Sequence, residues 1–159
     1  MRHESPMNLL DLKVPPPIVA AICAAAAWGL SLFTPLLQVP AVARIAVALV
    51  LALVGVGFMI AGLVSFRRAK TTVNPMKPES STSLVSLGIY SITRNPMYVG
   101  LLFVLAALAT YLSAPWSFLG PLLFFLYIGR YQVAPEERVL SKLFGAEYSN
   151  YQARVRRWL

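Results

Sequence analysis

The residues best suited to chemistry stand at two borders between charged and apolar sequence. In GIYSITRNPMYVG, residues 88–100, Arg94 and Asn95 directly precede Pro96 and an uncharged run. Asn95 is a favoured helix N-cap and Pro96 suits the first helical position, so a helix is expected to begin here. The first N–H groups of that helix lack intrahelical partners and carry the positive end of its dipole, which favours a nearby carboxylate. Arg94 adds a planar fork able to grip the same carboxylate through two hydrogen bonds. The competing reading is that Arg94 reaches to lipid headgroups and the rest is a well-capped span.

The second border holds Glu136 and Glu137, just after Pro135. Adjacent residues on a helix do not share a face, so a carboxylate dyad is not expected. One acid faces a ligand while the other pairs with a base such as Arg138 or faces water. Glu136, next to Pro135, can serve simply as a first-turn acid, and Glu137 is therefore the favoured ligand-facing residue. Both acids could also do no more than favour a helix start. Taken together, the two borders suit a ligand with a carboxylate for Arg94 and a cation for a glutamate, as in an amino acid moiety.

The elements that must position these residues are set by composition. Of 159 residues, 58% are hydrophobic and 13% charged, against roughly 25% charged in an ordinary soluble domain. Uncharged windows at 18–37 and 45–64 match the ~20 residues of a spanning helix. A third, 97–129, is too long for one crossing and is expected to fold back at Ser113-Ala114-Pro115-Trp116. The expectation is an all-α polytopic membrane protein, one domain over 1–159, with four transmembrane helices near 18–37, 45–64, 97–112 and 117–134, a cytoplasmic loop from Ser65 to Asn95, and a C-terminal interfacial helix interrupted near Gly145.

The net charge of +8 is placed one-sidedly: the segments before the first span, between the second and third, and at the end of or after the fourth hold the basic residues, and Arg44 alone falls in the opposite loops. This puts both termini and the long loop in the cytoplasm, in an inner or plasma membrane, and favours membrane lipids over nucleic acid as partners. The first window exceeds a signal-peptide core and shows no clear cleavage site, so it is read as retained. Cys23 is read as a packing residue. With a single cysteine and a single histidine, His3, no metal site is expected.

In three stretches, FRRAKTTVNP (66–75), GIYSITRNPMYVG (88–100) and EERVLSKLFGAEYSNYQARVRRW (136–158), the chain resembles the integral-membrane methyltransferases of the isoprenylcysteine carboxyl methyltransferase and phospholipid N-methyltransferase superfamily. Arg94, Asn95, Pro96, Tyr98 and Gly100 stand where that superfamily has Arg-His-Pro-x-Tyr-x-Gly. Glu136, Glu137 and Leu140 stand for its Glu-Glu-x-x-Leu. The resemblance implies S-adenosylmethionine held between the third-helix start and the Glu-Glu segment, with Arg94 and Glu137 as catalytic residues and Tyr90, Asn95, Pro96, Tyr98, Gly100, Glu136 and Leu140 completing the cofactor site. Asn95 in place of histidine removes a base near neutral pH while keeping hydrogen bonds.

Several residues stay open to two readings. Gly55 and Gly57 match a glycine pair of phospholipid N-methyltransferases, yet packing is favoured. Thr71, Thr72 and Asn74 suit ligand contact or a proline-broken turn alike. Tyr90 and Tyr98 could line the site or anchor at the interface, and Tyr148, Tyr151 and Trp158 are read as interface or packing residues.

Methyl transfer from a sulfonium is an in-line displacement in which positioning and electrostatics dominate. A site at the membrane border suits a lipophilic acceptor. A carboxylate, isoprenylcysteine-like, is favoured because it needs no base. A phospholipid amine is the alternative, for which Glu136, Glu137 or solvent would have to take a proton. A catalytically silent four-helix binding or scaffold protein is the rival from another class.

Overall fold

The computed structural model describes residues 11–69 and 76–159. Its elements are helical: α1 (Pro16–Ser31), α2 (Ala41–Ala69), α3 (Pro96–Leu112), α4 (Leu119–Ile128) and α5 (Ala134–Arg154), with short 3-10 turns at Pro78–Ser80, Gly88–Ser91 and Pro115–Phe118 and a π turn at Gly129–Val133. Among the described residues there is no strand, only an isolated parallel bridge between Thr93 and Arg156.

Helices α2 and α3 run antiparallel and pack so closely that side chains are excluded from the seam. A Cβ on Gly55 would lie 2.6 Å from the Gly100 carbonyl oxygen, and one on Gly100 would lie 2.6 Å from that of Gly55. Such small-residue seams let helices associate through van der Waals contact where no hydrophobic gradient drives them. Gly62 meets Met97 in the same seam, whereas Gly57 meets nothing. Packing thus accounts for Gly55, while at Gly57 a Cβ would meet no atom of the described residues within 4 Å. Cys23 is buried in a core with Val19, Tyr98, Leu105, Phe124, Ile128 and Val133, which joins α1, α3 and α4.

The chain turns between α3 and α4 where the sequence indicated. Ser113 adopts the left-handed conformation that ends α3, and Pro115 opens the 3-10 turn. Helix α4 then passes through the π turn into α5 without leaving helical geometry, so Pro135 does not end the fourth helix as expected. Pro135 lacks an N–H to bond the Tyr131 carbonyl one turn earlier. The Leu12 N–H takes that carbonyl instead, at 3.0 Å. Beside it, Arg138 Nη2 reaches the buried Asp11 carboxylate at 2.7 Å. A short strap ahead of α1 is thereby tied to the α4–α5 elbow. Gly145, at φ 49° and ψ −120°, supplies the interruption expected inside the last helix, in a region of backbone space that glycine enters without steric cost.

Two boundaries differ from expectation. α1 stops at Ser31, well short of residue 37, because Pro35 lacks an N–H and disfavours helical geometry at Thr34. α2 is longer than its uncharged window and carries Arg44 in its second turn and Arg67 and Arg68 in its last, a rise from Arg44 to Arg67 of about 35 Å. Among the described residues α2 alone is both long and apolar enough to cross a membrane, and only 17% of its most apolar window is buried within the protein. Val42, Leu53 and, on α1, Ile22 are exposed apolar side chains of this surface.

Candidate functional site

Where α2 ends and α3 begins, a cavity of about 590 Å³ opens between those helices, the residues ahead of α1 and α5. Its volume lies within the 300–1,000 Å³ of small-molecule sites. The α2 wall is apolar, formed by Met59, Ile60, Leu63 and Phe66. The charged groups, Arg94, Glu136 and Glu137, come from the residues just ahead of α3 and from α5, and Ser81, Ser83 and Tyr90 add neutral polar groups. Ile60 lines the cavity and is also 57% exposed, so part of the rim is apolar and open.

Two carboxylates enter this cavity in different company. Glu137 Oε1 lies 3.1 Å from Arg94 Nη2, with both side chains nearly buried, at 12% and 11% exposure. Arg157 joins them, its Nε donating to Oε1 at 3.0 Å and its Nη2 to Oε2 at 2.5 Å. Adjacent backbone pairing fixes the cluster. The Arg94 N–H donates to the Arg156 carbonyl at 3.0 Å, and the Asn95 Nδ2 donates to the Arg157 carbonyl at 2.9 Å. Asn95 does occupy the cap position of α3, but its side chain makes no capping bond because it serves this cross-link instead. Arg94 Nε and Nη1 are buried with no hydrogen-bond partner among the described residues. Buried guanidinium donors left this way are costly, and an anion in the cavity would satisfy them.

Among the described residues Glu136 has no cationic partner. Tyr98 Oη donates to its Oε2 at 3.1 Å, and the buried Gln132, one turn earlier across the π turn, hydrogen-bonds it as well. Burial pushes its carboxyl up to about 7; the Glu137 charge adds to the rise, while the bonds from Tyr98 and Gln132 oppose it. Tyr90, on the adjoining 3-10 turn, is likewise pushed up, first by burial and then by the Glu136 charge.

Of the residues singled out from sequence, Tyr90, Arg94, Asn95, Tyr98, Glu136, Glu137 and Leu140 line this one cavity. Pro96 is buried at the first turn of α3 and does not line it. Gly100 is also placed elsewhere, in the α2 seam against Gly55 and Met59. Arg138, the expected partner of a glutamate, bonds Asp11. Thr71, Thr72 and Asn74, with His3, lie outside the described residues. Sequence reasoning missed Gln132, Arg157 and the lining role of Tyr148 and Tyr151, whose hydroxyl donates to the Tyr90 carbonyl at 2.7 Å. The signal available was the spacing of Gln132 and Glu136, four residues apart on one helical face. Trp158 does pack as expected, its ring 4.9 Å from that of Phe125.

Comparison with known proteins gives two matches of different reach. The sequence model of the phospholipid methyltransferase family matches residues 43–147, from the first turn of α2 past both glutamates. A Haemophilus influenzae protein described only as uncharacterized is 43% identical over 63 residues, which make up 40% of this chain and the whole of that protein. No solved structure matches the chain.

Proposed function

The chain belongs to the phospholipid methyltransferase family, and on that premise we propose that it transfers a methyl group from S-adenosylmethionine to the head of a lipophilic acceptor. The observation that carries this reading is Arg94, with two buried donors that lack partners among the described residues, in the wall of a largely apolar cavity. These donors fit the cofactor's carboxylate. Glu137 suits the neighbouring ammonium, since its three contacts to arginine nitrogens leave room among the about four lone-pair sites of a carboxylate. When bound, S-adenosylmethionine supplies an electrophilic methyl on a sulfonium. Tyr90, Asn95, Tyr98 and Leu140 shape the space around it and exclude water, which strengthens each electrostatic contact inside.

The exposed apolar surface of α1 and α2 supports insertion in a membrane, with α1, α3 and α4 as further membrane helices and the cavity on the cytoplasmic side of an inner or plasma membrane. The apolar rim at Ile60 suits an acceptor with a lipid tail. An isoprenylcysteine-like carboxylate would face an acidic wall here, whereas an amine-bearing phospholipid would not be repelled. Calorimetry on detergent-purified protein tests the reading. Binding of S-adenosylmethionine and S-adenosylhomocysteine is expected, and loss of both on Arg94→Ala. Absence of binding by the wild-type protein would leave a silent membrane scaffold.

A further inference from the structure

Arg44 stands at the end of the molecule away from the cavity. It lies in the second turn of α2, and the chain carries no other charged residue between Lys13 and Arg67 or between Arg94 and Arg130. The described acids, Asp11, Glu79, Glu136, Glu137 and Glu147, precede α1, follow α2 or lie on α5, at the cavity end. No carboxylate among the described residues therefore balances this guanidinium.

The surroundings of Arg44 are built rather than loose. With Leu36, Leu37, Gln38, Val39 and Pro40 it lines a hollow of about 480 Å³. The Leu37 N–H donates to the Ser113 carbonyl at 2.7 Å, and the Ser113 hydroxyl donates to the Leu37 carbonyl at 3.3 Å, which pins the α1–α2 loop to the end of α3. The Arg44 guanidinium carbon lies 5.7 Å from the centroid of the Tyr111 ring, so one face of the group rests on an aromatic and its N–H edges stay available. Arg44 Nε is buried and has no hydrogen-bond partner among the described residues. A buried donor left this way is costly, and an anion with two oxygens would satisfy it together with a terminal N–H. An arginine that merely trailed among head groups would need neither the ring nor the pinned loop.

We propose that Arg44 and Gln38 bind the phosphodiester of a phospholipid in the membrane face opposite the catalytic cavity. This rests on the membrane insertion read above and not on methyl transfer. The rise of about 35 Å from Arg44 to Arg67 exceeds the ~30 Å of a hydrocarbon core, which sets the two arginines in opposite head-group layers. Trp28, Tyr111 and Trp116 are exposed at the Arg44 end, as aromatic side chains at such a border are. A phosphodiester presents two oxygens to the fork of Nε and a terminal nitrogen, and the Gln38 amide can donate to an ester oxygen. Leu36, Leu37 and Val39 are exposed beside the hollow and give the acyl chains an apolar lip. Inorganic phosphate has the oxygens without the chains and lacks that contact. The lipid held here is a fixed companion of the fold, distinct from the methyl acceptor at the other end.

The test uses the full-length protein in neutral detergent, carrying Val39→Cys with a bimane label at the lip of the hollow; Cys23 is buried. Protein that stayed monodisperse without detergent would overturn membrane insertion itself. Phosphatidylglycerol with a nitroxide near its glycerol should quench the label. Unlabelled dioleoylphosphatidylglycerol and dioleoylphosphatidylcholine should both relieve the quenching, whereas dioleoylglycerol, with the same chains and no phosphate, should compete at least about tenfold less well. Arg44→Gln and Arg44→Lys should each lose about tenfold in affinity for the quencher, because neither keeps the two-pronged contact. Tyr111→Leu should lose less. Thermal melting before lipid is added checks each variant, and should one fail to fold, the competition series on the parent protein decides alone. The proposal is overturned if dioleoylglycerol competes as well as the phospholipids or if folded Arg44→Gln keeps the parent affinity. It is equally overturned if inorganic phosphate at the same concentration relieves the quenching as well as the lipids do, which would make the hollow a site for a free anion.

Discussion

The two acids of the cavity wall show how one dipeptide can furnish two chemistries. Glu137 sits in a cluster of opposite charges built from three separate stretches, the start of α3, the start of α5 and the segment after Arg154. Glu136 sits among neutral hydrogen-bonding side chains. Two arginines balance the charge of the first, while burial among neutral groups pushes the carboxyl of the second up to about 7. The step of one residue along a helix, about 100°, is what separates them.

The largest expected effect attacks the charged side. Arg94→Lys should weaken S-adenosylhomocysteine binding almost as much as Arg94→Ala, about tenfold to a hundredfold, because a point charge cannot reproduce the two-pronged contact. Unchanged affinity in the lysine variant, read by calorimetry, would remove the contrast between the two acids. Glu137→Gln comes next, with about a tenfold loss of the same affinity, since it removes the charge that pairs with Arg94 and, on the proposed reading, meets the cofactor's ammonium. If Glu136→Gln instead showed that loss, the roles would be exchanged.

A smaller effect separates the acids by pH without any ligand. Because the folded protein holds the Glu136 carboxyl at about 7, above its ordinary 4.5, the stability linked to neutral Glu136 is complete below pH 4.5 and is lost as pH rises through 7. Melting temperature should therefore fall between pH 5 and 8 in the wild type and fall less in Glu136→Gln. Parallel curves would show that Glu136 does not titrate there. The smallest expected change is in Arg157→Ala. This side chain is 44% exposed, so its loss should cost at most about fivefold in cofactor affinity, the scale of a partly solvated ion pair.

Much of this wall was legible in the sequence because its groups sit at element borders, where a change from charged to apolar residues marks position as well as chemistry. Arg94 before Pro96 and the acids after Pro135 are of this kind. Helix α1 was overextended because a count of uncharged residues ignores the proline at 35. Gly100 was misplaced since a motif position does not say which side of a helix meets a ligand and which meets another helix. The arginine partner of Glu137 could not be anticipated from spacing, for Arg157 is 20 residues away and returns only because the chain runs extended beyond α5. The cavity role of Tyr148 and Tyr151 likewise depends on where the kink at Gly145 sends the second half of α5.

The clip between the strap and the elbow also sets an order in time. Asp11 and Arg138 are 127 residues apart, and a ribosome adding about 5 to 20 residues per second needs roughly 6 to 25 s to cover that distance. Throughout that interval Asp11 has emerged without its arginine and the Leu12 N–H without the carbonyl that Pro135 leaves vacant. Pro15, Pro16 and Pro17, which follow directly and form one side of the cavity, can be fixed only after this wait. A nascent chain therefore carries its first helix well before its cavity is finished, and whatever attends its synthesis must tolerate an unattached strap until the elbow arrives.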